Sequence, residues 1–120
     1  MRYLMLYRPA DTAAMESGAP PSPELIAKMG ALIQKSMGEG KLLSTEGCAA
    51  TSKGAIVSYS KGKLGVIDGP FSEAKEIIGG FAIIQLKSKQ EAIASAREFL
   101  ELAGDGTVEI RLINEPNGLD

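Results

Sequence analysis

The sequence predicts an α+β sandwich in which two helices cover one face of a largely antiparallel sheet. Two segments each carry a single apolar stripe at helical spacing, and short runs rich in apolar and β-branched residues lie around them, separated by Gly, Pro and Ser. A helix with one stripe has one surface to bury. The order strand, helix, hairpin strands, strand, helix, strand therefore resolves most economically as helices packed on one side of a sheet.

The opening run Tyr3, Leu4, Met5, Leu6, Tyr7 is apolar at odd and even positions alike, the pattern of a strand in the middle of a sheet. Residues 9 to 21 contain Pro9, Asp11, Gly18, Pro20 and Pro21 and read as a loop. Ser22-Pro23-Glu24 then supplies an N-cap, a proline at the first helical position and an early carboxylate. Leu25, Ile26, Met29, Leu32, Ile33 and Met37 form the stripe of that helix, which Gly38 and Gly40 terminate. The stripe is expected to pack on the sheet as core.

The middle of the chain is punctuated by Ser52-Lys53-Gly54 and Ser60-Lys61-Gly62, with the β-rich stretch Ala55 to Ser60 between them. Both triplets read as turn chemistry in a hairpin region, since no phosphate-loop pattern surrounds them. Phe81 to Leu86 is a further strand with little polarity on either face. Ser88 and Glu91 match a capping box, and the helix they open has its apolar face at Ala92, Ile93, Ala96, Phe99, Leu100 and Ala103 before Gly104 stops it. Val108, Ile110 and Leu112 alternate with Glu109 and Arg111 in a half-exposed last strand. Residues 1 to 113 thus form one domain, and residues 114 to 120 read as a tail.

The densest stretch is Asp68-Gly69-Pro70-Phe71-Ser72-Glu73-Ala74-Lys75-Glu76, followed by Gly79-Gly80-Phe81. Gly69, able to take a positive φ, and Pro70, with φ fixed near −65°, imply a sharp turn that holds Asp68 in place. The glycine pair leaves room for another backbone or a ligand to approach.

These residues also carry a family resemblance. Asp68-Gly69-Pro70-Phe71 with Glu73, Lys75-Glu76 and Gly79-Gly80-Phe81 resembles the signature of the YCII-related family in its DGPF-type branch. The opening Met1 to Tyr7, and Gly40-Lys41-Leu42-Leu43 with Glu46-Gly47, resemble its first and second strands. The resemblance implies a ferredoxin-like domain of the dimeric α/β-barrel type, in a family whose biochemical roles are mostly unassigned. Many members of the wider family carry a histidine that, with the signature Asp, suggests a proton-transferring pair. This chain has no histidine.

Composition narrows the function classes. The chain has 120 residues, 44% apolar and 23% charged, which suits one soluble globular domain. A net charge of −2 gives no basic footprint for nucleic acid. No apolar run is long enough to span a bilayer, and the N-terminus does not read as a signal peptide, so a cytoplasmic location is expected. The single cysteine, Cys48, cannot make an internal disulfide and, with no histidine to activate it, is expected to be a buried or half-buried small residue. Without histidine there is no Ser–His–Asp site, and neither a zinc site nor a calcium loop is supported. No cofactor is expected.

Carboxylates, Lys, Arg and Tyr remain as acids and bases. Asp68, desolvated against Phe71, is the candidate proton carrier, with capping of turn N–H groups as the alternative. Glu46 is a second carboxylate that the fold can bring near. Arg8 and Lys75 are candidates to hold an anionic ligand, and Tyr7 and Tyr59 offer orienting hydroxyls. Two readings follow: a cofactor-independent lyase or isomerase with Asp68 moving a proton, and a non-catalytic ligand-binding or protein-interaction module associated with transcriptional regulation. Strands apolar on both sides leave one sheet face to cover, which predicts a homodimer through that face.

Overall fold

Strand β1 (Arg2–Pro9) lies in the middle of a four-stranded antiparallel sheet, as its two-sided apolar pattern requires. A computed structural model describes residues 1–116. After β1 come helix α1 (Thr12–Glu16), helix α2 (Pro23–Gly38), strand β2 (Leu42–Gly47), the hairpin β3 (Ala55–Ser60) and β4 (Lys63–Asp68), strand β5 (Gly80–Gln85), helix α3 (Lys89–Ala103) and strand β6 (Gly106–Leu112). The sheet order is β2-β5-β1-β6, and β3-β4 forms a separate two-stranded sheet. Leaving the hairpin aside, this is the strand order of a ferredoxin-like α+β fold.

Register fixes which side chains share a face. Pairing of Tyr3 with Ile84, Met5 with Ala82 and Ile110, and Tyr7 with Val108 puts these residues on one side of the sheet. There Tyr3, Met5, Ile84 and Leu86 pack with Ala92 and Ala96 of α3, whose small side chains let the helix come close. Leu4, Leu6, Phe81 and Ile83 occupy the opposite side and are half-buried.

Helix α2 departs from expectation. Ser22 caps it by accepting from the Leu25 N–H at 3.2 Å, with Pro23 at the first turn, yet none of its residues is buried. Leu25, Met29, Leu32 and Ile33 stay half-exposed, while Ile26 and Met37 are 53% and 49% exposed. The stripe borders a cavity instead of filling the core.

Helix α1 falls in the segment read as a loop. Asp11 supplies its cap by accepting from the Ala14 N–H at 3.0 Å, a local signal that the surrounding prolines and Gly18 obscure. Ser88 caps α3 by accepting from the Glu91 N–H, but the Glu91 carboxylate accepts from Lys87, one residue before the cap. Of the two Ser-Lys-Gly triplets, only the second is a hairpin turn. Lys61 and Gly62 both have positive φ, 52° and 80°, as a two-residue turn between right-twisted strands demands. Ser52 and Lys53 belong to a 3-10 turn, Thr51–Lys53, and Gly54 is extended. Of the expected tail, residues 117 to 120 lie outside the described residues, and Glu115 is paired with the Arg2 guanidinium at 2.9 Å.

Candidate functional site

A cavity of 530 Å³ opens between α2, α3 and the sheet. Its wall is mainly apolar, with Met29, Leu32 and Ile33 from α2, Phe99 from α3, and Met5 and Ile84 from the sheet. Tyr7, Thr45, Ser36, Ser95 and Glu98 supply the polar side chains, Glu46 borders it at its backbone, and no Lys or Arg borders it.

Tyr7 is placed by β1 and by its neighbours. Its ring meets Phe99 edge-on, with centroids 5.0 Å apart and planes at 78°, a geometry that contributes about 0.5–1.5 kcal/mol beyond simple burial. Burial holds its phenol above the usual pKa of 10.0. The chain has glycine where this ring needs room. A Cβ on Gly79 would stand 3.0 Å from the Tyr7 ring, and one on Gly106 would stand 2.9 Å from it. Gly80 admits a different neighbour, because its Cβ would lie 2.7 Å from the Glu46 carbonyl oxygen across the β2–β5 pairing. The glycine pair therefore accommodates the protein's own ring and backbone at the cavity wall.

The sequence candidates divide into separate places. Tyr7 borders the cavity together with Gly79, Gly80 and the backbone of Glu46, whose side chain shares the opposite sheet face with Phe81. Arg8 points to the other side of the sheet, where its Nε donates to the Lys75 carbonyl at 3.0 Å and its Nη1 to the Glu109 carboxylate at 3.0 Å. Arg8 and Lys75 do meet, but through the Lys75 backbone rather than as paired cations. Glu109 also accepts from Arg111, and these two arginines, Arg111 foremost, hold its carboxyl below the usual range.

Asp68 and Tyr59 lie on the hairpin, away from the cavity. Asp68 is exposed at the end of β4, opposite Ala55, and among the described residues its carboxylate accepts no hydrogen bond. Neither it nor the turn that follows borders the cavity. Tyr59 is 72% exposed. Cys48 is also exposed, contrary to expectation, because it follows the end of β2, where its N–H bonds the Gly79 carbonyl at 2.9 Å.

The turn after Asp68 is built differently from its sequence reading. Gly69 does not adopt a positive φ, and the Gly69–Pro70 peptide is cis. Glycine is needed there for close approach, since a Cβ would fall 1.6 Å from the Thr51 carbonyl oxygen. Thr51 is the organising residue that the sequence did not reveal. It is buried, its N–H donates to Glu16 at 2.9 Å, its hydroxyl donates to the same carboxylate, and that hydroxyl accepts from the Phe71 N–H at 2.9 Å. Its partners lie 35 and 20 residues away, so no local pattern marks it.

Among the described residues no cluster of three or more Cys, Asp or Glu side chains is arranged to hold a metal ion. No helix among them is long and apolar enough to cross a membrane.

Comparison with known proteins adds three findings. The chain is 33% identical over 84 residues to an uncharacterized protein of Rhizobium meliloti (strain 1021), covering 69% of this chain and 68% of that one. It is similar in structure to 5-chloro-2-hydroxyhydroquinone dehydrochlorinase from Burkholderia phenoliruptrix AC1100, solved in complex with 2,5-dihydroxybenzoquinone. The TM-score is 0.46 and the identity 15%, over 98% of this chain and 99% of that one. The model of the YCII-related domain matches residues 1–116, and the chain belongs to that family.

Proposed function

We propose that this protein binds a small, mainly apolar molecule without an anionic group in the cavity between its two longer helices and the sheet. The observation that carries this reading is the cavity itself. Its 530 Å³ falls within the range of small-molecule sites, and an apolar wall with a few polar groups is the usual composition of one. The α2 stripe supports the same reading: four half-exposed apolar side chains in one row are what a ligand would cover.

The charge of the wall selects the ligand class. A carboxylate or phosphate entering here would lose water beside Glu98 with no cation in the wall to replace it. Arg8 and Lys75, the cations expected to hold an anion, lie elsewhere. An uncharged molecule with a hydroxyl or carbonyl meets the Tyr7 phenol and the Ser36 and Ser95 hydroxyls without that penalty. Proton transfer at Asp68 would take place outside the cavity, so binding is the activity the geometry supports.

Thermal shift with matched sets of apolar alcohols, ketones and carboxylates tests the proposal. At a concentration about 100 times its Kd, a ligand stabilises the folded state by about 2.7 kcal/mol, a readily measured rise in Tm. Neutral members should give that rise and carboxylates should not. A Ser95→Trp variant, which fills the cavity from α3, should fold and lose the response. A larger shift with carboxylates, or an unchanged shift in Ser95→Trp, would overturn the reading.

A further inference from the structure

We infer that the Tyr7 hydroxyl is the hydrogen-bond donor that sets the selectivity of the cavity, and that the group it selects is a carbonyl oxygen: the site takes an apolar ketone in preference to a hydrocarbon of the same shape. The inference rests on the small-molecule reading of the cavity and adds to it the residue that discriminates between ligands. Tyr7 borders the cavity from the sheet side, and among the described residues its hydroxyl makes no hydrogen bond. The Tyr3 hydroxyl, by contrast, meets the Met1 sulfur at 3.9 Å. Polar groups withdrawn from water are nearly always paired in folded proteins, so a half-buried phenol without a protein partner is placed to take one from a ligand.

The position of this hydroxyl is fixed. Phe99 meets the Tyr7 ring edge-on at 5.0 Å. Gly79 stands at one edge of the ring, near Cδ2 and Cε2, and Gly106 at the other, near Cε1, so close that an added Cβ would lie 3.0 Å and 2.9 Å from it. The phenol oxygen lies on the axis of the ring, so a ring held at both edges holds its oxygen as well. A donor organised in advance loses little freedom when a ligand engages it. Burial also keeps the proton on this oxygen through the neutral range.

The other polar groups of the wall are engaged or adaptable. Thr45 donates its hydroxyl to the Phe81 carbonyl at 2.9 Å, and the Gly79 N–H donates to the Tyr7 carbonyl at 2.7 Å. The Glu98 carboxylate only accepts, and it faces the Lys35 ammonium at 3.8 Å. The Ser36 and Ser95 hydroxyls each turn about one bond and serve as donor or acceptor, so they do not discriminate. That leaves Tyr7 as the fixed donor with nothing to bond. A ketone oxygen only accepts, and the phenol alone satisfies it while the rest of the molecule meets Met29, Leu32 and Ile33. An alcohol brings a donor as well, which needs a second partner, and a hydrocarbon leaves the phenol cut off from water and unpaired.

Titration calorimetry with 1-tetralone and tetralin, bicyclic molecules that differ by one carbonyl, tests the inference on the full chain. Tyr7→Phe keeps the ring against Phe99 and removes only the hydroxyl. The variant should lose about 10-fold or more in affinity for tetralone and stay within about twofold of the wild type for tetralin. Ser36→Ala with Ser95→Ala should lose less tetralone affinity than Tyr7→Phe does. The carbonyl stretch of bound tetralone should lie at lower frequency in the wild type than in Tyr7→Phe, a difference that a purely structural hydroxyl does not produce. Equal loss of both molecules in Tyr7→Phe, loss of neither, or a greater loss of tetralone in the serine variant would overturn the inference and leave the cavity standing as a site for neutral molecules. Uptake of neither molecule by the wild type would overturn the reading of the cavity itself, and the inference with it.

Discussion

The Thr51 hydroxyl accepts a hydrogen bond from the Phe71 N–H at 2.9 Å and donates one to Glu16, so a single buried threonine ties α1 to the turn beyond Asp68. Replacing Thr51 with Val keeps the shape and removes both bonds. The Phe71 N–H and the Glu16 carboxylate then lose a partner in a site with little water, and the expected loss is about 1–3 kcal/mol in urea or thermal unfolding. Thr51→Ser retains the hydroxyl and should recover most of it. Equal stability of the Val variant and the wild type would show that the network contributes nothing net.

Glycine substitutions separate close approach from chain flexibility. Gly69→Ala forces a Cβ into the Thr51 carbonyl and should cost about 3 kcal/mol or more, or prevent the turn from forming. Gly30 lies inside α2 with nothing within 4 Å of an added Cβ. Gly30→Ala should therefore stabilise the protein by about 0.5–1 kcal/mol. Melting temperatures of the two variants should move in opposite directions.

Tyr7 should govern the alkaline limit. Burial raises its folded pKa above the unfolded value, so its contribution is fully present below the ordinary phenol pKa of 10.0 and is lost as pH rises through the folded value. Tyr7→Phe keeps the ring against Phe99 and has no proton to lose. Above pH 10 the wild type should lose melting temperature faster than the variant. Parallel profiles would mean that the phenol is hydrated in the folded state.

Glu109 acts at the acid end with the opposite sign. Its hydrogen bonds from Arg111 and Arg8 lower its folded pKa, so its contribution is present above the ordinary carboxylate value of 4.5 and is lost as pH falls through the folded one. The melting difference between wild type and Glu109→Gln should accordingly shrink as pH drops below 4.5. Added salt should shrink it at neutral pH as well, because these side chains are solvent-accessible.

The fold was legible where periodicity is strong and local. The α2 and α3 caps at Ser22 and Ser88, the central placement of β1 and the stop at Gly104 all follow from residues adjacent in sequence. What escaped depends on contacts across the chain. Apolar spacing shows that α2 has a stripe but not that it stands off the sheet and borders a cavity, and turn residues show that Gly69 sits at a bend but not that the Thr51 backbone crosses it. Of the candidate site, Tyr7, the Glu46 backbone and Gly79-Gly80 converge on that cavity, because β-pairing puts the ends of β1, β2 and β5 side by side. Asp68, Tyr59 and Lys75 lie on the hairpin and the crossover after it, which local chemistry does not place relative to the sheet.

Asp68 offers the sharpest separation of roles. Its carboxylate is exposed, accepts no hydrogen bond among the described residues, and does not border the cavity. A capping role predicts a loss of about 0.5–2 kcal/mol in Asp68→Ala, since the turn N–H groups would lose their acceptor. The observed surroundings predict a change within about 0.5 kcal/mol, the range for an exposed side chain without partners. They also predict unchanged affinity for neutral ligands of the cavity. Stability is read by thermal unfolding and affinity by titration calorimetry on the same variant. A variant that melts like the wild type yet no longer binds, or no longer converts a ligand that the wild type converts, would restore Asp68 as the proton carrier and place the reaction at the hairpin end of the molecule.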